Sequence, residues 1–281
     1  MNTSEKVIVT SIRESLSQRR SFVKQMGMAS AGLAAFLATA ESARAADITD
    51  VDILQFALNL EYLEAEFYTV ARLGKTIDQM GVGINGSGST GATTGGKKVT
   101  FIEGSTLAKS ADEIGADERA HVTLLRGALT AAGVSPVAKP VINLNALGIG
   151  FDSQEDFIAL GRAFEDVGVS AYGGAAPLIQ SKAYLGVAAR ILAAEAEHTA
   201  NLRLHAALYN VKTSAVDALD ILPPPSGTRF SSLDANGLSV VRTPGQVLYI
   251  VYGGQAGKTS GGFYPNGTNG TLNTSEAGAK P

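Results

Sequence analysis

The segments DERAH (117–121) and AEAEH (194–198) hold two of the three histidines of this 281-residue chain. In each segment a histidine follows a glutamate by three positions, within a stretch that has the apolar periodicity of a long helix. Residues three apart on an α-helix lie one turn apart on the same face, so both side chains can reach one point. The spacing therefore predicts two inward-facing Glu-x-x-His units. They are Glu118 with His121 and Glu195 with His198.

Two further helical stretches each carry a single inward glutamate, which a tyrosine follows seven residues later. The pairs are Glu61 with Tyr68 and Glu165 with Tyr172. Along the chain the order is a Glu/Tyr pair, a Glu-x-x-His unit, a second Glu/Tyr pair and a second Glu-x-x-His unit. The sequence is therefore an internal two-fold repeat of two helices.

This repeat places four carboxylates on the apolar faces of four helices, where they would repel one another. Buried carboxylates and imidazoles cost several kcal/mol each unless they are paired or bind a metal. One glutamate from each of two helices and a Glu-x-x-His unit from each of the other two is the ligand pattern of di-iron and di-manganese bundles. The predicted cofactor is therefore two Fe or two Mn ions per chain, and the pattern does not choose between the metals. The predicted ligands are Glu61, Glu118, His121, Glu165, Glu195 and His198.

The fold predicted from these stretches is all-α. Four long helices are expected, over about residues 50–74 and 101–132, from 153 to at least 172, and over about 183–209. They form an antiparallel bundle within residues 46–210. The connection over 134–151 is long enough to run the length of the bundle, which predicts a long crossover between helices two and three. Residues 211–281, rich in Gly and Pro, are predicted to form an irregular extension with one short helix at VLYIVY, for which a short strand is the alternative.

The first 45 residues have the features of an export signal. Arg19 and Arg20 precede an apolar stretch of about fifteen residues, too short to span a membrane, and Ala43-Arg44-Ala45 resembles a cleavage site. The arginine pair is typical of the twin-arginine route, which exports folded proteins. We therefore expect a periplasmic or secreted protein, cleaved near Ala45 and without a stable membrane anchor.

Composition excludes several classes of function. Hydrophobic residues make up 45% and charged residues 17% of the chain, and the formal net charge is −3, so a nucleic-acid partner is not expected. The chain has no cysteine, which excludes thiol nucleophiles, disulfides and thiolate metal sites. Any metal must be bound by oxygen and nitrogen atoms.

Three segments carry a resemblance to a known superfamily: LNLEYLEAEFY (58–68), FEDVGVSAYGGAAP (164–177) and GGFYPNG (261–267). With the export signal, they make the chain similar to ferritin-like proteins, and more narrowly to the exported group that includes desiccation-related proteins of plants and bacteria. The resemblance covers about residues 48–272 and implies a four-helix bundle with a dinuclear metal site. The long first hairpin loop and the unusual tail argue against a hollow cage, while a homo-oligomer stays open.

The function expected from this pattern is redox chemistry on O2 or peroxide, of the ferroxidase, peroxidase or catalase kind, in stress protection. The alternatives are a protein that sequesters metal without turnover and a structural module that uses the metals to hold helices together. Tyr68 and Tyr172 are expected to hydrogen-bond ligand carboxylates, with an electron relay or simple core filling as alternatives.

Other polar residues near the predicted ligands are expected to play no part in the site. Asp117 is not expected to orient a ligand histidine, and His205 lies too far along its helix to bind the same metal pair. Glycines on the third helix are expected either to leave room near the ligands or to allow close helix packing. Four further acids are expected to face solvent or to pair with arginine: Glu64, Glu66, Asp166 and Glu197.

Overall fold

The computed structural model describes residues 48–281, and the predicted export signal lies outside the described residues. Residues 49–281 form one compact unit. It contains four long helices and one short one: α1 (Asp50–Leu73), α2 (Thr106–Ala131), α3 (Gln154–Ala175), α4 (Lys182–Leu208) and α5 (Pro244–Val251). Within residues 48–281, no helix combines the length and apolarity that a membrane crossing requires.

Each helix begins after a serine or threonine whose side chain accepts a hydrogen bond from a backbone N–H of the first turn. At α2 this cap corrects the predicted boundary. The apolar pattern placed the start near Phe101, but Gly104 has a left-handed backbone (φ +74°) and Ser105 caps the helix, so α2 begins at Thr106. A periodic pattern alone does not reveal where the backbone turns into a helix.

The helices that pack side by side run antiparallel. Arg72, near the end of α1, forms a two-pronged ion pair with Asp112, near the start of α2, at 2.7 and 2.8 Å. In the second pair, Arg203 near the end of α4 donates to Asp166 in the middle of α3 at 2.7 Å. The chain therefore consists of two helical hairpins, α1–α2 and α3–α4, that pack against each other.

The connection between the hairpins is a crossover along the length of the bundle. The backbone N–H of Ile102, just before α2, donates to Gln154 at the start of α3 at 2.8 Å, so these two helices begin at the same end. Strand β2 (Ile142–Asn143) of the crossover pairs in parallel with β1 (Thr93–Thr94), which lies in the long loop between α1 and α2. The predicted all-α bundle with a long crossover is confirmed.

The C-terminal extension is fastened to the bundle by buried charges. Arg162 on α3 contacts Asp166 at 3.2 Å and Asp220 of the extension at 2.8 Å. Arg203 on α4 donates to Asp166 and also to the backbone carbonyls of Arg229 and Phe230, each at 2.8 Å. Both arginine side chains are fully buried, so the extension excludes water from this side of the bundle.

Two glycines on α3 let the extension approach the helix closely. A Cβ at Gly174 would stand 1.9 Å from the backbone oxygen of Arg242, and one at Gly173 would stand 2.9 Å from Val241. Neither of the two alternatives for the α3 glycines describes these positions, because they allow close packing of the extension and not of a second helix. The short helix α5 begins beyond this contact at Pro244. Thr243 is its N-cap and forms a capping box with Gln246 in the first turn.

Candidate metal centre

The structure brings together all six residues that the sequence pattern proposes as ligands. Each of the four long helices contributes one glutamate whose side chain is fully buried, and α2 and α4 each add a histidine one turn later. The two imidazole rings lie with their centroids 6.1 Å apart. The six residues are Glu61, Glu118, His121, Glu165, Glu195 and His198.

These residues form two donor groups that share two members. One group contains Glu61 and His121, the other contains Glu165 and His198, and both contain Glu118 and Glu195; within each group the ligand atoms lie within 4.8 Å of one another. Glu118 directs Oε2 toward His121 Nδ1 (3.4 Å) and Oε1 toward His198 Nδ1 (3.0 Å). The arrangement therefore contains two neighbouring points, with Glu118 placed to bridge them.

The buried polar atoms without hydrogen-bond partners match this division. Among residues 48–281, eight such atoms belong to the six residues: one oxygen each from Glu61 and Glu165, both oxygens of Glu118 and Glu195, and Nδ1 of His121 and His198. The two histidine nitrogens lie 3.0–3.5 Å from the carboxylates but lack hydrogen-bond geometry. Four donors around each of two points fit an O-rich, N-containing Fe or Mn site.

Tyr68 and Tyr172 each hold a carboxylate of the opposite hairpin. The Tyr68 hydroxyl on α1 donates to Glu165 Oε1 on α3 at 2.5 Å, and the Tyr172 hydroxyl on α3 donates to Glu61 Oε1 on α1. In both pairs the tyrosine binds one oxygen and leaves the other directed inward. Such contacts fix the orientation of a ligand carboxylate.

Asp117 faces the outer nitrogen of one histidine, contrary to expectation. Its Oδ2 lies 3.4 Å from His198 Nε2, on the side of the ring away from the carboxylates. The equivalent position on α4, one residue before Glu195, is Ala194, so the internal repeat does not reproduce this contact. A carboxylate behind a metal-binding imidazole fixes its tautomer and raises its basicity. His205 is remote from the site and bonds to the Asn201 carbonyl.

The environment of Glu64 also differs from the expectation. Its side chain is buried, with 5% of the residue exposed, and it has no ion pair or hydrogen bond among the described residues, so the expectation of solvent or an arginine was wrong. The expectation for Glu66 was also wrong, because its buried carboxylate pairs with a lysine and not with solvent or an arginine. Glu66 Oε1 lies 3.4 Å from Lys139 Nζ. Asp166 does pair with arginines and Glu197 is exposed, as expected.

Burial and repulsion determine the charges of the metal-free cluster. Burial, followed by repulsion from Glu61, raises the pKa of Glu118 to about 7. Burial opposes protonation of His198, but its contacts with Glu118 and Glu165 outweigh this effect and raise its pKa to about 12. Without a metal, protons on the imidazoles thus supply the positive charge that the carboxylates need. Metal binding would displace those protons.

Comparison with known proteins agrees with this geometry. The profile of the ferritin-like domain matches residues 49–208, the segment that holds all four long helices. The chain belongs to the ferritin-like family.

A distant relative of this ferritin-like chain is named ferritin-like catalase Nec2 and comes from Nesocodon mauritianus. The two are 27% identical over 278 residues, an alignment that covers 80% of this chain and 85% of the relative. The fold, the candidate carboxylate–histidine site and this relative together fit a dinuclear metal protein. The ferritin-like match ends at residue 208, so the C-terminal extension lies beyond it.

Proposed function

We propose that the chain is a dinuclear iron or manganese protein that carries out redox chemistry on peroxide or dioxygen. The observation that carries this proposal is the set of eight buried atoms without hydrogen-bond partners on the six residues that form the two overlapping donor groups. Two divalent ions would offset the charge of the four carboxylates. The relative named a catalase favours peroxide as the oxidant.

When bound, the metal pair would supply the two-electron exchange that couples reduction of one H2O2 to two H2O with oxidation of a second to O2. The chain's own residues would keep the site in place while its charge changes. Tyr68 and Tyr172 hold one oxygen of each outer carboxylate, so those side chains need not rotate between steps. The fully buried glutamates are surrounded by protein, which limits the reorganisation of solvent.

The test of this proposal is turnover. Protein loaded with Fe(II) or Mn(II) should consume many equivalents of H2O2 per site and release one O2 for every two peroxides. Tyr68→Phe and Tyr172→Phe keep every ligand and should lower the rate by roughly 10–100-fold, the usual effect of removing a partner of a metal ligand. An oxygen electrode and peroxide absorbance measure both quantities.

Metal sequestration without turnover is the second candidate, and the burial of the site favours it. All four carboxylates are fully buried, and the histidine side chains expose only 11% and 7%. Stoichiometric metal binding without consumption of peroxide or O2, in both the iron and the manganese forms, would leave sequestration as the function and exclude the enzyme.

We further propose that the protein is exported in folded form by the twin-arginine route and acts outside the cytoplasm in stress protection. Arg19→Lys with Arg20→Lys should then keep the precursor in the cytoplasm, whereas Arg13→Lys in the same leader should not. Cell fractionation and N-terminal sequencing measure the outcome. The mature chain should begin near Ala46. Continued export of the double variant would indicate the general secretory route.

A further inference from the structure

The outer face of α4 is apolar although it is exposed. Ten residues between positions 185 and 208 are exposed, and only Arg190 and Glu197 among them are charged. Three of the others are leucines, which are exposed by 37–68%. A helix that is apolar on all sides is normally covered on all sides, so this face has the composition of a second buried surface. It consists of Leu185, Gly186, Ala189, Arg190, Ala193, Ala196, Glu197, Ala200, Leu204 and Leu208.

Within the described part of the chain no segment covers this face. The extension adds to it instead, because the carbonyl of Phe230 accepts a hydrogen bond from Arg203 on α4 while the Phe230 residue is 57% exposed. The exposed side of α2 differs, since it carries acids such as Asp112 and Glu113. The uncovered apolar surface therefore belongs to α4 and the adjoining part of the extension.

The order of the apolar residues along this face reads the same in both directions. With spacings of 4, 4, 3, 4 and 4 positions, they are Leu185, Ala189, Ala193, Ala196, Ala200 and Leu204. Two copies of α4 that pack antiparallel about a two-fold axis between positions 194 and 195 would place leucine opposite leucine and alanine opposite alanine. A two-fold interface requires such self-complementarity, and small central side chains let helix axes approach to about 8 Å.

The two charges on the face are complementary in the same arrangement. Arg190 and Glu197 are seven residues apart, so they lie on one edge of the face, and no ion pair within the described residues includes either of them. Antiparallel two-fold packing brings this edge of one copy against the same edge of the other. Arg190 of each copy is then within about 3 Å, along the helix axis, of the level of Glu197 of the other. The opposite edge has no exposed charge, so parallel packing would leave both residues unpaired.

We propose that the outer face of α4 is a homodimer interface in which two copies of the chain pack antiparallel about an axis between positions 194 and 195. A second copy is the partner because the face is complementary to itself in both apolar pattern and charge. Glu195 lies at the level of this axis and faces inward. The dimer therefore places the two candidate metal centres at one level, on opposite sides of the interface.

Sedimentation velocity of the mature chain tests the charge complementarity. Wild type should be a dimer at concentrations up to about 100 μM. Glu197→Arg and Arg190→Glu each place like charges at both symmetric contacts and should raise the dimer Kd by roughly tenfold or more. The double variant restores opposite charges and should return close to the wild-type Kd. Glu113→Arg, the same change of charge on the exposed side of α2, is the control. A monomeric wild type, or a double variant as weak as the single ones, would overturn the proposal.

Cysteine variants test the direction of packing, because the chain has no cysteine of its own. Ala193→Cys should form an intermolecular disulfide under mild oxidation, since position 193 lies beside the two-fold axis. Leu208→Cys is the control for random collision, because position 208 is 68% exposed but about 40 Å from its counterpart in the antiparallel dimer. Non-reducing gels measure the linked fraction. Equal linking of the two variants, as parallel or random contact would give, would contradict the antiparallel interface.

Discussion

Glu118→Gln should release most of the metal from both positions, whereas Glu61→Gln should weaken mainly one. Glu118 belongs to both donor groups and directs a different oxygen toward each histidine, while Glu61 belongs to one group. Because Glu118 is itself a proposed ligand, we expect a loss of affinity above the roughly 10–100-fold that removal of a partner of a ligand costs. Elemental analysis after loading and desalting measures metal per chain.

The same substitution should have the opposite effect on the metal-free protein. The folded-state pKa of Glu118 is about 7, above its ordinary value of 4.5, so its contribution to stability is fully present below pH 4.5 and is lost as the pH rises through 7. The loss is on the order of 3 kcal/mol. Burial, then repulsion, also raises the pKa values of Glu64 and Glu195, while that of Glu61 is lowered, despite its burial, by His121. Three raised groups outweigh one lowered group, so metal-free wild type should lose stability between pH 5 and 8.

Urea unfolding at several pH values, with chelator or with saturating metal, tests both effects together. Metal-free Glu118→Gln should be more stable than metal-free wild type at pH 8, and this difference should shrink toward pH 5. Metal at 100 times its Kd should stabilise wild type by about 2.7 kcal/mol for each occupied position and the variant much less. Glu113→Gln, on the exposed side of α2, serves as the control. Equal metal content in Glu118→Gln and wild type would contradict the bridging position.

Asp166→Ala should destabilise the protein by roughly 3–5 kcal/mol, because it leaves two buried arginines short of a partner. Asp166 contacts Arg162 at 3.2 Å and Arg203 at 2.7 Å, and both arginines also bind backbone oxygens of the extension. Loss of these ion pairs should detach residues 211–281 from the bundle before the bundle itself unfolds. Protease sites in the extension should therefore become accessible in the variant under native conditions.

The matched control is Asp112→Ala. It removes the partner of Arg72 from an ion pair of similar distance, 2.7 Å, in which the aspartate side chain is 53% exposed. Exposed pairs contribute about 0–1 kcal/mol, so this variant should stay close to wild type in chemical denaturation. Equal unfolding free energies for the two variants would show that the buried arginines do not depend on Asp166.

The ligands could be predicted from the sequence because helical periodicity fixes which residues share a face. Glu118 and His121 are one turn apart whatever the neighbouring helices do, and the same holds for Glu195 and His198. The repeated order of these units was enough to predict the bundle. The crossover followed from the length of one connection, over residues 134–151.

Glu64 and Asp117 could not be assigned in the same way, since their environment depends on how helices are aligned relative to one another. Glu64 lies near the site because α1 and α3 align it with Gly168, and a shift of one turn would place another side chain there. Asp117 faces His198 only through the alignment of α2 with α4. Asp166 was expected to pair with an arginine, but its burial likewise depends on a helix alignment, because its partner Arg203 lies 37 residues later, on α4. Periodicity within one helix carries no information on these contacts.

Each donor group contains a glutamate from the other hairpin, and this arrangement determines the order in which hairpin docking and metal binding can occur. The first hairpin provides Glu61, Glu118 and His121 but takes Glu195 from the second, and the second takes Glu118 in return. Tyr68 and Tyr172 cross between the hairpins in the same way. Neither hairpin alone holds a complete set of donors, so high-affinity metal capture has to follow their docking. If the proposed metal pair is bound, it would hold the two hairpins together, because their separation would require breaking bonds to both ions.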